Sequence, residues 1–174
     1  NASASQNSLN IFRLSGPASV AASETVAASY RIGSNRTVSY NSVTIIDFDT
    51  VVKDTHGATT TGSSWKFTAP VSGVYRISSR LESNAGVTVD STSRGVRLDV
   101  YKNGSLFRAI DTNYDASGTS KAWVVRGSTQ VSLLAGDYID LRVYQDLDSG
   151  GSDIITFAAG VSQYVDVEKI GGTP

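Results

Sequence analysis

The sequence predicts an all-β fold, and three observations predict it. Apolar and polar residues alternate with period two in several segments, as half-buried strands require. Turn signals rich in Gly, Asn and Asp separate these segments at short intervals. No stretch of any length carries a helical period. The clearest unit is Trp65 to Ile77. Trp65 and Phe67 alternate with Lys66 and Thr68, and Pro70 stops that strand because it cannot donate to a ladder. Gly73 is expected to supply backbone freedom at the turn. Alternation then resumes, with Tyr75, Ile77, Ser79 and Leu81 on one side and Val74, Arg76, Ser78 and Arg80 on the other.

The remaining elements follow in order. Residues 1-24 are rich in Ser, Ala and Asn, broken only by the cluster Leu9 to Leu14, and read as an arm or linker. Residues 25-174 read as one domain. Val26, Ala28, Tyr30 and Ile32 alternate as a first strand, and Gly33 to Asn35 turns the chain. Val38 and Tyr40 begin a short strand, and Val43 to Phe48 carries a β-branched run. Residues 49 to 64 read as a long polar connection, and residues 82 to 94 as a loop. Val96, Leu98 and Val100 form the next strand. Asn103-Gly104 marks a two-residue hairpin turn, because both positions accept positive φ. Leu106 to Ile110 returns, and residues 111 to 121 read as a polar loop around Tyr114. Trp123, Val125, Thr129, Val131 and Leu133 share one phase, which buries Trp123. Ala135-Gly136-Asp137 turns, and Ile139, Leu141 and Val143 alternate. The last strand spans about 155 to 170 with a break near Gly160. The total is eight to ten short strands, the pattern of a β-sandwich or jelly roll.

Composition narrows the function. The chain of 174 residues is long enough for one sizeable core. Its 15 basic and 16 acidic residues give a net charge of -1, so nothing points to nucleic acid or an anionic membrane as partner. With no cysteine, disulfides and thiolate metal sites are out of reach. One histidine, His56, makes His-rich zinc sites and triad chemistry hard to build. No apolar run approaches a membrane span. A start without Met reads as a processed form or a piece of something longer.

Four segments carry a resemblance: Phe48-Asp49-Thr50; Phe67-Thr-Ala-Pro70-Val-Ser-Gly73-Val-Tyr75-Arg-Ile77; Val100-Tyr-Lys-Asn103-Gly104; and Val131-Ser-Leu133-Leu-Ala-Gly136-Asp137-Tyr-Ile139-Asp-Leu141. In this order they resemble the globular head of the complement first component and its relatives, the tumour-necrosis-factor-like jelly rolls. The match spans about residues 28 to 170. The resemblance implies a ten-stranded antiparallel jelly roll of two five-stranded sheets, a compact homotrimer, and binding or structural work without catalysis. Animal heads of this kind follow collagen stalks, and this chain has no Gly-X-Y repeat. Related heads at the ends of bacteriophage fibres and on bacterial surface filaments fit a cysteine-free chain rich in Ser, Thr, Gly and Asn better.

The resemblance also implies that the strands around 74–81 and 162–169 are neighbours in the sheet facing a threefold axis. Arg76, Arg80, Tyr164, Asp166 and Glu168, with Tyr30 and Tyr144, are therefore expected at or near the trimer contact. Asp146, Asp148 and Asp153 sit in a glycine-rich loop that offers oxygen ligands for calcium or forms a plain acidic turn. It lacks the spacing of an EF-hand. His56 lies near Asp54, with no nucleophile or metal partner indicated, and Asn35-Arg-Thr37 and Asn103-Gly-Ser105 are sequons. The expected function is a non-enzymatic virion protein, as a tail-fibre head or capsid decoration. It would contact a host-surface protein or glycan, or stabilise the particle through other virion proteins. The alternative is a secreted or cell-surface recognition module that binds proteins or glycans. An enzyme would need a carboxylate pair about 5–10 Å apart in a groove, and no such pair stands out.

Overall fold

The computed structural model describes residues 25–84, 87–88, 94–115, 120–147 and 154–172. The expected arm over 1-24 lies outside them. The strands are β1 (Ala27–Ile32), β2 (Arg36–Ser39), β3 (Ser42–Ile45), β4 (Thr50–Asp54), β5 (Thr59–Thr60), β6 (Lys66–Thr68), β7 (Gly73–Glu82) and β8 (Val87–Thr88). They continue as β9 (Arg94–Lys102), β10 (Ser105–Asp115), β11 (Ser120–Lys121), β12 (Val124–Leu133), β13 (Tyr138–Gln145), β14 (Ile154–Phe157) and β15 (Gly160–Gly171).

Two antiparallel sheets result. The first has five strands in the order β12-β7-β15-β1-β4. The second has six, β10-β9-β13-β6-β5 with β3 also paired to β13, and β8/β11 and β2/β14 form two-stranded ribbons. The first sheet has the expected five strands, whereas the second has one more than expected and four further strands form the ribbons. Three segments read as connections or loops contain strands, and one of them, residues 82 to 94, holds β8. β4 lies within residues 49 to 64 and pairs with β1. Its run Thr-Val-Val-Lys-Asp hides the alternation because an edge strand is exposed along much of its length. β10 continues through Asp115, beyond the hairpin return, for the same reason.

The core lies between the sheets and is built around aromatic rings. Trp65 is buried and meets Phe48 edge-on at 5.2 Å and Tyr30 at 6.5 Å. Phe67 tilts against Tyr75 at 5.7 Å. Such pairs add about 0.5–1.5 kcal/mol each beyond the area they bury. The Tyr75 hydroxyl donates to the Val71 carbonyl at 2.7 Å, which closes the corner that Pro70 opens. Gly73 plays a different part from the expected one. Its φ is outside the left-handed region, but an added Cβ would sit 2.9 Å from the Gly171 carbonyl oxygen. The end of β15 passes too close for a side chain. Trp123 is fully buried, as its phase predicts.

One side of the sandwich is closed by side chains. The outer edge of β12 receives the Asn113 amide on the Val124 carbonyl at 3.1 Å, and the Arg126 amide donates to Asp111 at 2.8 Å. These contacts from β10 cap backbone groups that an open edge would offer to other chains.

The Asn-Gly turn has the expected positive φ, 50° at Asn103 and 80° at Gly104. It is tied to the Gly-Asp corner. The Asn103 side-chain amide donates to Asp137 Oδ1 at 2.8 Å, and its carbonyl accepts from the Tyr138 amide at 2.9 Å. The Asn103 bond, the Leu134 amide and Lys102 together hold the Asp137 carboxyl down at about 2. Because this value lies below the ordinary 3.8, the tie contributes stability above about pH 4, and the contribution is lost as pH falls through 2. A carboxyl-detected NMR titration should place the Asp137 midpoint near 2, and Asn103→Ala should move it toward 3.8.

Candidate subunit-contact face

The two sheets present different outer faces, and the difference follows from strand register. On the second sheet, Leu98 and Val100 point inward, so Arg97, Asp99 and Tyr101 point outward. On β13, Asp140, Arg142 and Tyr144 do the same. Register sets Asp99 opposite Arg142, Tyr101 opposite Asp140, and Arg97 opposite Tyr144. The buried Asp99 accepts Arg97 in a forked contact at 2.8 Å, and Asp140 accepts Arg142 at 2.6 and 3.2 Å. The Arg142 guanidinium lies 3.8 Å from the Tyr101 ring centre and that of Arg97 5.3 Å from Tyr144. The hydrogen bonds to Asp99 and Asp140 raise the pKa values of Arg97 and Arg142, respectively, above the usual arginine value. These four charges meet their needs within one chain.

The outer face of the first sheet is built otherwise. Buried Tyr75, Ile77, Ser79 and Leu81 leave Arg76, Ser78 and Arg80 pointing outward from β7. β15 turns out Tyr164, Asp166 and Glu168, and β1 turns out Ala27, Ser29 and Arg31. Register arranges these in rows. Gln130, Arg76, Glu168 and Ala27 form the first; Ser128, Ser78, Asp166, Ser29 and Lys53 the second; Arg126, Arg80, Tyr164, Arg31 and Thr50 the third. The small residues of the second row open a depression of about 280 Å³ lined by Ala27, Ser29, Ser78, Lys53, Arg76, Asp166 and Glu168.

Some charges on this face are paired. Arg76 bonds Glu168, and Arg80 bonds Glu82 at 2.6 Å and the Ser162 carbonyl at 3.1 Å. Buried Gln163 holds the end of this pairing by accepting from the Glu82 amide at 2.6 Å and donating to its carbonyl at 2.7 Å. Arg31 and Asp166 are half-buried, yet among the described residues neither has a hydrogen-bond or ion-pair partner, and Arg31 Nε is buried without an acceptor.

Five of the seven residues expected at the trimer contact therefore share one face: Arg76, Arg80, Tyr164, Asp166 and Glu168. The expected adjacency of the strands around 74–81 and 162–169 is the β7–β15 pairing. Tyr30 does not join them. It is 4% exposed and turned into the core, where its hydroxyl donates to Asp54 at 2.7 Å. Its phase on β1 matches Val26, Ala28 and Ile32, which assigns it inward. Tyr144 lies on the opposite sheet, over Arg97, and donates to Asn41 at 2.9 Å. The face gains three residues that were not singled out, Arg31, Lys53 and Arg126. The phase of β1 already placed Arg31 opposite the core residues; Lys53 was hidden in a supposed connection.

Other candidates resolve locally. The Asp54 carboxylate accepts from Tyr30, Ala58, His56 and Thr59. Burial pushes its pKa up, but these bonds outweigh burial and hold it below 3.8. His56 Nδ1 contacts the Thr55 hydroxyl at 2.7 Å, so this loop is a braced turn. Asp146 accepts from the Gly95 amide at 2.7 Å; Asp148 and Asp153 lie outside the described residues. No group of three or more metal-ligating side chains occurs among the described residues.

A two-sheet antiparallel sandwich with this strand order is a jelly roll of the tumour-necrosis-factor and complement-head type, as the resemblance implied. Similar solved structures include Eiger TNF from S. frugiperda (TM-score 0.57, 14% identity, 86% of this chain and 95% of that one). Others are the globular domain of zebrafish complement 1qA (0.51, 17%, 82% and 94%) and murine APRIL at pH 8.0 (0.54, 10%, 84% and 100%). At these identities the likeness shows the fold. No protein-family profile matches the chain. Among curated proteins, the phage-like element PBSX protein XkdV of Bacillus subtilis strain 168 is 28% identical over 134 residues, covering 73% of this chain. The chain spans 18% of that relative's length.

The two faces predict different costs of truncation in dilute protein. Arg97→Ala strands a buried carboxylate and should cost about 3 kcal/mol. Arg76→Ala breaks an exposed pair and should cost less than about 1 kcal/mol. Urea unfolding of the two variants measures both.

Proposed function

We propose that the chain is a non-enzymatic homotrimeric module of a phage-like particle, acting as a fibre head or decoration that contacts a host surface or reinforces the particle. The observation that carries this reading is the outer face of the first sheet. Small residues open a depression on it, and among the described residues half-buried charges stay unmet on it, whereas the second sheet's outer face meets its charges internally. A face of this kind fits a second protein surface. The jelly-roll likeness makes a ring of three copies the natural occupant, because a closed ring buries the face without open-ended growth. The similarity to a phage-like element protein supports the particle setting. The same similarity supports a location on the virion.

Light scattering tests the assembly. The expected mass is three times the 18.3 kDa of one chain, and a mass of one chain at all accessible concentrations overturns it. Attachment is tested with labelled protein added to cells of the organism the particle infects. Saturable binding is expected of a fibre head. Binding only to particles lacking this chain would instead assign it to reinforcement.

A further inference from the structure

We propose that Asp166 of one copy and Arg31 of the next form an ion pair across the contact between copies, and that this pair sets the register of the ring. The inference rests on the reading of this face as that contact. Among the described residues the face carries three acids, Glu82, Asp166 and Glu168. Two are taken within the chain, Glu82 by Arg80 and Glu168 by Arg76. Asp166 is the acid left over, and Arg31 is the half-buried base left over. Lys53 and Arg126 also lack a side-chain partner among the described residues, but both are exposed, and water satisfies an exposed charge at little cost.

Asp166 stands opposite Ser29, and Arg31 stands opposite Tyr164, two residues along the same pair of strands. They are diagonal neighbours, about 7–8 Å apart by sheet geometry, yet no ion pair joins them within the chain. Arg31 Nε is buried without an acceptor, and a guanidinium offers a planar fork that a carboxylate fits. A neighbour's carboxylate entering over the second row, where Ser29 and Ser78 are small, would meet both needs. In a ring, each copy gives Asp166 to one neighbour and Arg31 to the other, so three copies close with three pairs and none left over.

The test compares wild type, R31E, D166R and the double variant R31E/D166R by light scattering over a dilution series. Circular dichroism and urea unfolding confirm that each variant is folded. Each single variant sets two like charges together and should shift the dissociation midpoint to at least about tenfold higher concentration, a change worth ~1.4 kcal/mol. The double variant restores opposite charges at every contact and should recover most of the loss. If wild type is trimeric but the singles assemble like it, the pair does not exist. Singles that dissociate with no recovery in the double variant also overturn the pairing. A monomeric wild type overturns the assembly itself, which separates the two failures.

Discussion

The structure depends on how the aromatic cluster between the sheets fixes which way every strand faces. Trp65 sits among Phe48 and Tyr30, and Phe67 leans on Tyr75. These rings come from β1, the segment before β4, Trp65 just ahead of β6, β6 itself and β7, and so lock both sheets to one centre. A slip of one residue in any strand would turn its outer side chains inward. Once Tyr75 is inside, Arg76 and Arg80 must be outside; once Val165 and Val167 are inside, Tyr164, Asp166 and Glu168 must be outside. The chemistry of the surface is thereby set by packing in the core.

From that constraint come two faces of opposite character. The second sheet sets each buried carboxylate beside an arginine two residues along the same strand and lays both arginines on tyrosine rings. Such a surface is complete in a single chain. The first sheet also pairs some of its charges but, among the described residues, leaves a half-buried acid and a half-buried base unmet, around a depression floored by small residues. Desolvating a charge without a partner is costly, so this face is the one that gains from contact with another surface.

Much of this was legible in the sequence. Alternation placed the core residues of β1, β7, β9, β12 and β13, and Asn103-Gly104 and Gly136-Asp137 marked real turns. Alternation also put Arg76 and Arg80 on the side opposite Tyr75 and Ile77, and the resemblance put Asp166 and Glu168 near the same contact, although their meeting on one face needed the strand order. Edge strands were the blind spot. β4 and the far half of β10 carry polar or unalternating residues because water covers much of them. Missing β4 hid Lys53 from the face. Tyr30 was expected at the contact although its own phase pointed inward; half-buried Asp54 satisfies its hydroxyl there. Gly73 was read as a flexible turn residue when the close passage of β15 is what excludes a side chain. Contacts between distant segments leave no local mark.

The most direct measurement uses the absence of native cysteine. Ser78→Cys places a single thiol at the centre of the proposed contact, and Thr112→Cys places one on the exposed part of β10. Thiol-labelling rates are followed as the protein is diluted. The account predicts slow labelling at position 78 in concentrated protein and faster labelling on dilution, with no such change at position 112. Labelling at position 78 that is equally fast at every concentration would contradict burial of this face between copies.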